Sequence, residues 1–145
     1  MDDNIVCSGA LFYASATKRF LLLRRTQGKT ANLWGLVGGT NEGCETPWEG
    51  LQREITEEIG NIPNIKKTIP LETFVSNDSK FSFHTYLCVV EKEFIPELNI
   101  EHDGYSWVTF GSWPKPLHQG LRNTLGSRVN QTKLQTVFDM IKYLD

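Results

Sequence analysis

Residues 39–60 read GTNEGCETPWEGLQREITEEIG and contain the strongest helix signal of the chain. Thr46 is followed three residues later by Glu49, which is the pattern of a capping box, and a proline occupies the first helical position after the threonine. The stretch closes on a glycine, the residue that most often ends a helix. The sequence therefore predicts an α-helix over Pro47–Ile59.

Three glutamates crowd one flank of this predicted helix. At about 100° per residue, Glu54, Glu57 and Glu58 fall within an arc of about 100° beside an apolar stripe that is centred on Ile55. Two of the glutamates are four residues apart, and like charges at that spacing destabilise an isolated helix by roughly 0.2–0.5 kcal/mol. Taken alone, such a run is more often a solvated helix face. A hard divalent cation with oxygen ligands is the alternative that would offset the repulsion.

The surrounding sequence favours the second interpretation, because the stretch resembles the Nudix box of the MutT-like Nudix hydrolases. Asn61 departs from the motif, which has an aliphatic residue after the last glycine, and Ile62 follows one step later. The resemblance implies an α/β fold, an α/β/α sandwich with a mixed central β-sheet and the box helix at the active site. The fixed residues of the motif are present at their spacing, namely Gly39, Glu45, Arg53, Glu54, Glu57, Glu58 and Gly60.

Apolar segments outside the box predict further strands and helices. Ile5–Tyr13 and Phe20–Arg25 are typical of a β-hairpin, and Phe81–Val90 is apolar on both faces, which predicts a central strand. Strands and helices alternate without strict βαβ repetition, which indicates a mixed sheet covered by helices. Further elements are predicted as strands at Leu71–Val75 and Tyr105–Phe110, a short helix at Leu117–Leu125 and an amphipathic helix at Leu134–Ile141.

The resemblance also implies a chemistry and a set of site residues. Nudix hydrolases cut a pyrophosphate bond in a nucleoside diphosphate linked to another moiety, and they use Mg²⁺ or Mn²⁺. Glycines let the backbone approach an ion or a phosphate closely. The expected metal ligands are Glu54, Glu57, Glu58 and the backbone carbonyl of Gly38.

Other residues are assigned to catalysis and substrate binding. The general base is either the box glutamate Glu54 or Glu101, which precedes a predicted aromatic strand. Arg53 is expected to support catalysis by holding loop and helix together, in company with Glu45. Strand alternation sends only one of Arg24 and Arg25 toward the site. The expected catalytic residues are thus Glu54, Arg53, Glu57 and Glu101, and the expected substrate-binding residues are Arg24, Arg25 and Gly39.

The substrate stays open at this point. The first expectation is hydrolysis of a nucleoside triphosphate to the monophosphate and pyrophosphate. The alternatives are a dinucleoside polyphosphate, ADP-ribose or a nucleotide sugar. A remote alternative is a nucleotide-sensing module without catalysis, although such modules usually lose box glutamates, and this chain keeps them.

Composition narrows the class of protein further. A chain of 145 residues has the length of one ordinary domain, and we expect a single Nudix domain over residues 1–145. The net charge of −2 argues against nucleic acid as a partner, and no apolar run has the length of a membrane helix. The N-terminus carries no secretory signal pattern, and the three cysteines form no CxxC pair. We therefore expect a cytoplasmic protein with a nucleotide substrate, and the sequence leaves a homodimer open.

Overall fold

The computed structural model describes residues 4–61 and 64–143. The aliphatic Ile62 and the acidic N-terminal residues lie outside the described residues. Within the described ranges the fold has seven strands and three α-helices, with a 3-10 turn at Gly28–Thr30. The strands are β1 (Ile5–Ala14), β2 (Arg19–Arg25), β3 (Trp34–Gly35), β4 (Val37–Thr40), β5 (Lys67–Val75), β6 (Phe81–Val90) and β7 (His102–Thr109), and the helices are α1 (Pro47–Ile59), α2 (Gln119–Gly126) and α3 (Arg128–Ile141).

The strands form one mixed sheet in the order β3-β2-β1-β6-β5, with β4 paired to β1 and β7 paired to β2. Strands β1 and β6 run parallel over ten residue pairs, from Ile5 beside Phe81 to Ala14 beside Val90. The other pairings are antiparallel. The predicted hairpin of β1 and β2 and the predicted central position of β6 are confirmed.

Helices cover both faces of the sheet, because alternate residues of the central strands point in opposite directions. Phe12 and Leu21 pack with Leu51 and Ile55 of α1 on one face. On the other face, their strand neighbours pack with α2 and α3, in a second cluster that includes Leu11, Phe20, Leu22, Leu121, Leu125 and Leu134. The α/β/α sandwich with a mixed central sheet is therefore confirmed.

Helix α1 begins and ends where the sequence predicts. The hydroxyl of Thr46 accepts a hydrogen bond of 3.2 Å from the backbone N–H of Glu49, whose carboxylate accepts one of 2.9 Å from the threonine N–H. Gly60 follows the last turn with φ of +86°, a conformation that L side chains rarely adopt. These two signals fix the two ends of the helix that carries the glutamates.

The glycine pair Gly38 and Gly39 lies inside strand β4, where Gly38 pairs with Gly9 of β1 at very short range. A Cβ atom on Gly38 would lie 2.0 Å from the carbonyl oxygen of Ser8, so only glycine fits this pairing. Strand β7 begins at His102 rather than at Tyr105, because the residues that precede the aromatic part pair with the end of β2. In the described part of the chain, no helix combines the length and the apolar character needed to cross a membrane.

Candidate functional site

Glu58 is a buried carboxylate at the centre of the site. The side chain projects from α1 toward β4, where its Oε1 accepts a hydrogen bond of 2.7 Å from the backbone N–H of Gly38. Only 1% of the residue is exposed. Burial raises the pKa of Glu58 to about 8, and the negative charges of Glu54 and Glu101 add to this effect. A cation beside Glu58 would oppose this shift, because it would favour the charged form.

Glu54 lies one turn earlier on α1, against the same strand. Its carboxylate accepts a hydrogen bond of 3.0 Å from Arg53, and burial raises its pKa above the ordinary value. A Cβ atom on Gly39 would lie 2.6 Å from the carboxyl carbon of Glu54. The absence of a side chain at Gly39 is therefore what lets this carboxylate lie against the backbone of β4.

Arg53 joins the loop before α1 to the helix. Its guanidinium donates hydrogen bonds of 2.9 and 3.2 Å to Glu45 and one of 2.9 Å to the carbonyl oxygen of Thr40. The hydrogen bonds with Glu45 raise the pKa of Arg53 further above its ordinary range, so the charge is permanent. The expected role of Arg53 as a residue that holds loop and helix together agrees with this geometry.

Glu57 is the most exposed of the three box glutamates. Its side chain is 54% exposed and lies 3.5 Å from the guanidinium of Arg53. The backbone carbonyl of Glu57 accepts a hydrogen bond of 2.9 Å from the side chain of Asn99, which lies in the loop that precedes β7. That bond ties the loop to α1 and so carries Glu101 toward the box glutamates.

The structure brings Glu101 and His102 together with Glu58. One ligand atom from each of these three side chains lies within 4.8 Å of the others. Glu101 is exposed, whereas His102 is buried with 4% exposure. Neither ring nitrogen of His102 has a hydrogen-bond partner among the described residues. Burial lowers the pKa of His102 to about 4, helped by the positive charge of Arg25, so the imidazole is neutral near pH 7.

The two candidate arginines lie differently. Arg24 donates hydrogen bonds of 2.6 Å to Asp103 and 2.8 Å to the side-chain oxygen of Asn32. The Nε of Arg25 donates one of 2.7 Å to Thr30, and its positive charge acts on the pKa of Glu58. Arg25 is therefore the arginine that acts on the acidic cluster.

The donor set at this place fits a divalent cation. Carboxylate oxygens converge with a neutral imidazole, and the carboxylate of Glu58 is buried with a raised pKa. The negative charges of Glu54 and Glu101 both act on Glu58, which indicates a concentration of charge that one cation would balance. The structure thus brings ligand atoms of Glu58, Glu101 and His102 together, with Glu54 near enough for its charge to act on Glu58, whereas Glu57 is exposed and outside this group.

His102 is the residue that sequence reasoning missed. Its position directly after Glu101 was visible, but its burial beside Glu58 was not. The register between β2 and β7 shifts at this point, because Arg24 pairs with Gly104 and Arg25 with His102, which leaves Asp103 as the extra residue of a bulge in β7. Patterns of single residues do not reveal such a bulge, which re-aims a side chain within a strand.

Comparisons with known proteins agree with this fold and this motif. A model of the NUDIX domain matches residues 5–125. A relative from Haemophilus influenzae, named dihydroneopterin triphosphate diphosphatase, is 32% identical over 114 residues, which cover 68% of this chain and 70% of the relative.

Solved structures with lower identity share the fold. The MutT protein from Methanosarcina mazei is 24% identical with a TM-score of 0.68, over 90% of this chain and 95% of that chain. An Ap4A hydrolase from C. elegans is 18% identical with a TM-score of 0.68, over 91% of this chain and 98% of that chain. The NUDIX match spans most of the chain and includes every residue of the box, so this protein belongs to the Nudix hydrolase family.

Proposed function

We propose that this protein is a divalent-metal-dependent pyrophosphohydrolase that converts a nucleoside triphosphate, or a closely similar triphosphate, to the monophosphate and pyrophosphate. One observation carries the proposal. The buried carboxylate of Glu58 is held by the N–H of Gly38 at 2.7 Å, with Glu54 and Glu101 near enough to act on its charge. An arrangement of this kind suits an enzyme that binds a cation together with the phosphates of its substrate.

The metal would be held by Glu54, Glu57, Glu58 and the backbone carbonyl of Gly38, with Mg²⁺ or Mn²⁺ as the ion. When bound, the ion supplies charge neutralisation at the phosphates and lowers the pKa of water. Because Glu58 and Glu54 project from one rigid helix onto one strand, α1 and β4 together fix their positions. Arg53 preserves that arrangement by clamping Glu45 and the Thr40 carbonyl.

We assign the general base to Glu54, through the carboxylate oxygen that the cation would not occupy, in preference to Glu101. The side chain of Glu54 is only 14% exposed, and burial raises its pKa above the ordinary value. A base whose pKa lies nearer the working pH accepts a proton from water more effectively. Glu101 lies beside Glu58, where its carboxylate would serve the cation. If Glu101→Gln abolishes the acidic limb of the pH–rate profile, where the rate rises as the base loses its proton, while Glu54→Gln retains it, the assignment is reversed.

The substrate class rests on charge and on the relative from Haemophilus influenzae. That relative is named for a triphosphate attached to a pterin, and it is named a diphosphatase, which releases two phosphates together. Arg25 lies beside the acidic cluster and offers a permanent positive charge for a terminal phosphate. We therefore expect a triphosphate ester of a nitrogen heterocycle rather than a nucleotide sugar.

A substrate panel with phosphorus NMR tests the proposal. The panel contains the nucleoside triphosphates, dihydroneopterin triphosphate, diadenosine tetraphosphate, ADP-ribose and a nucleotide sugar, each with Mg²⁺ or Mn²⁺ in ¹⁸O-water. We expect equal amounts of a monophosphate and pyrophosphate from a triphosphate, with ¹⁸O in one of the two products. Release of orthophosphate, or faster cleavage of the other substrates, would contradict the assignment. Saturable binding of nucleotides without turnover would favour a sensing module.

Two glutamate variants distinguish turnover by this protein from turnover by a contaminating enzyme in the preparation. Glu57→Gln removes a proposed ligand and is expected to lower turnover by about 100-fold or more. Glu91→Gln changes a glutamate that is 62% exposed and lies 3.7 Å from Lys66, away from the box, and it should leave turnover unchanged. Equal rates for both variants would remove α1 from the mechanism.

Two further expectations belong to this proposal. A cytoplasmic location is supported by the three cysteines, which are all free thiols in the structure. We also predict a single domain over residues 1–145, and a homodimer is left open. Limited proteolysis of the purified protein would test the single domain, and sedimentation would test the homodimer.

A further inference from the structure

A β-bulge turns His102 toward the acidic cluster. Trp107 of β7 packs with α1 on one face of the sheet. In a regular strand, a residue five positions earlier would point to the opposite face, because side chains alternate. The register between β2 and β7 shifts at Arg24 and Arg25, and this shift moves the alternation by one residue. His102 consequently points to the face that carries Glu58.

The burial of this imidazole is costly without a partner. His102 is 4% exposed, and neither ring nitrogen has a hydrogen-bond partner among residues 4–61 and 64–143. A buried polar group without a hydrogen bond lowers the free energy of unfolding, whereas an apolar ring of the same size would not lower it. One of its ring nitrogens and one oxygen each from Glu58 and Glu101 form a group within 4.8 Å. The bulge thus aims an unpartnered nitrogen at two carboxylates.

We propose that His102 is a nitrogen ligand that joins Glu58 and Glu101 on one divalent cation and gives the site a preference for Mn²⁺ over Mg²⁺. The proposal rests on the proposed function, because it adds a ligand to the metal site of that function. It also changes the chemistry of that site, which would otherwise contain oxygen ligands alone.

The preference follows from the donor chemistry. Mg²⁺ binds carboxylate, carbonyl and water oxygens and gains little from imidazole. First-row transition metals accept imidazole nitrogen, and Mn²⁺ also accepts carboxylates. In a group of two carboxylates and one neutral imidazole, all three side chains are therefore favourable ligands for Mn²⁺. Only the two carboxylates are favourable ligands for Mg²⁺.

Pulsed EPR of the wild-type protein with Mn²⁺ tests the ligand directly. A nitrogen bound to Mn²⁺ modulates the electron-spin echo. Labelling only the histidines with ¹⁵N replaces the ¹⁴N frequencies of that modulation by those of ¹⁵N, which identifies histidine as the source. We expect nitrogen modulation in the unlabelled protein and its ¹⁵N form in the labelled protein. Bound Mn²⁺ without nitrogen modulation would overturn the proposal. This measurement needs no variant and so does not depend on the folding of one.

Two variants assign the nitrogen to a particular histidine. His102→Phe keeps an aromatic ring and removes the ligand, and His102→Gln serves if the first variant does not fold. Both should lose the nitrogen signal and bind Mn²⁺ about tenfold more weakly by titration, with Mg²⁺ affinity changed less than about twofold. The matched control is His84→Gln. His84 lies on β6, and its Nδ1 is 3.3 Å from the hydroxyl oxygen of Thr73 on β5, so this histidine already has a hydrogen-bond partner within the sheet. Loss of the signal in the control, or its survival in both His102 variants, would overturn the proposal.

The same titrations separate this proposal from the proposed function. Saturable Mn²⁺ binding that depends on Glu58 but shows no nitrogen modulation would reject His102 alone. Mn²⁺ binding that is unaffected by Glu58→Gln would reject the metal site of the proposed function as well.

Discussion

The backbone N–H of Gly38 donates a 2.7 Å hydrogen bond to a carboxylate that is 99% removed from solvent, that of Glu58. This bond links α1 to β4 at the residue that precedes the Nudix box, and the bond from Arg53 to the Thr40 carbonyl links the same two elements. The bond from Gly38 satisfies one lone pair of the carboxylate, but it does not neutralise the charge, and the pKa of Glu58 stays raised to about 8. Near pH 7 the ionised form of Glu58 is therefore destabilising in the absence of a cation, and a bound cation would favour it.

The first prediction concerns the stability of Glu58→Gln without metal. Because the amide carries no charge to desolvate and its oxygen can still accept from Gly38, we expect a gain of about 2 kcal/mol in the free energy of unfolding at pH 8 in EDTA. With saturating Mn²⁺ the order should reverse, since only the wild type gains binding energy. Urea denaturation of both proteins under both conditions measures this. A wild type that is more stable than the variant in EDTA would contradict the destabilising role.

The stability of the metal-free wild type should also depend on pH in a defined direction. The pKa of an unfolded glutamate is 4.5, whereas burial raises the pKa of folded Glu58 to about 8. Between these values the folded state keeps a proton that the unfolded state has lost, so the stability of the metal-free wild type falls as the pH rises from about 5 to about 8. Glu58→Gln should lack that part of the slope. Parallel pH profiles for the two proteins would show that this carboxyl is not the group concerned.

The second prediction separates the two glycines of β4. A Cβ on Gly39 meets the far end of the Glu54 side chain at 2.6 Å, and a flexible side chain can move. Gly39→Ala should therefore lower turnover by about tenfold or more while the midpoint of unfolding changes little. A Cβ on Gly38 meets the backbone of Ser8 at 2.0 Å, so Gly38→Ala should cost about 2 kcal/mol or more in stability.

Gly126→Ala is the matched control for both glycine variants. Gly126 ends α2, and a Cβ there would meet no atom within 4 Å in the described structure. We expect stability and turnover close to those of the wild type, because alanine is also the better helix former. A loss of turnover in this control equal to that in Gly39→Ala would mean that the effect does not come from Glu54.

The sequence allowed much of this arrangement to be predicted, because the decisive signals are local. The capping residue Thr46 and the terminal Gly60 each mark one end of α1 through residues next to that end, and the fixed spacing of the box places its glutamates. The alternation of the central strands similarly predicted two covered faces. Capping and alternation can be predicted because each depends on residues that are close together in the sequence.

The remainder depends on contacts between distant segments. The hydrogen bond from Gly38 to Glu58 depends on the approach of β4, and the position of His102 depends on a register shift in a strand pair. Neither can be read from neighbouring residues. The choice between Arg24 and Arg25, in contrast, follows regular alternation, since Leu21 and Leu23 of β2 pack on the α1 face and Arg25 is next in that series.

The third prediction concerns Arg53. Arg53→Lys keeps the positive charge but loses the fork that contacts Glu45, Glu54 and the Thr40 carbonyl together. We therefore expect kcat to fall by about 10- to 100-fold with KM changed less than about threefold, because the arginine positions carboxylates rather than substrate. Steady-state kinetics measures the split, and Arg128→Lys on α3 is the control. A variant that raises KM alone would instead place Arg53 in substrate binding.

The fourth prediction compares the two arginines at the end of β2. Arg24 is already bound to Asp103 and Asn32, whereas the charge of Arg25 acts on Glu58 and His102. Arg25→Ala should therefore raise the KM for a triphosphate by about tenfold, and Arg24→Ala should raise it by less than about threefold.

A salt series sharpens the comparison between these two variants. The KM of the wild type should rise with ionic strength, because screening weakens the attraction between Arg25 and a phosphate, and that dependence should be reduced in Arg25→Ala. Arg24→Ala should keep the salt dependence of the wild type, since its guanidinium pairs with Asp103 at 2.6 Å within the protein. The reverse pattern, with the larger KM change and the lost salt dependence in Arg24→Ala, would show that a substrate displaces Asp103 and that Arg24 is the arginine that binds phosphate.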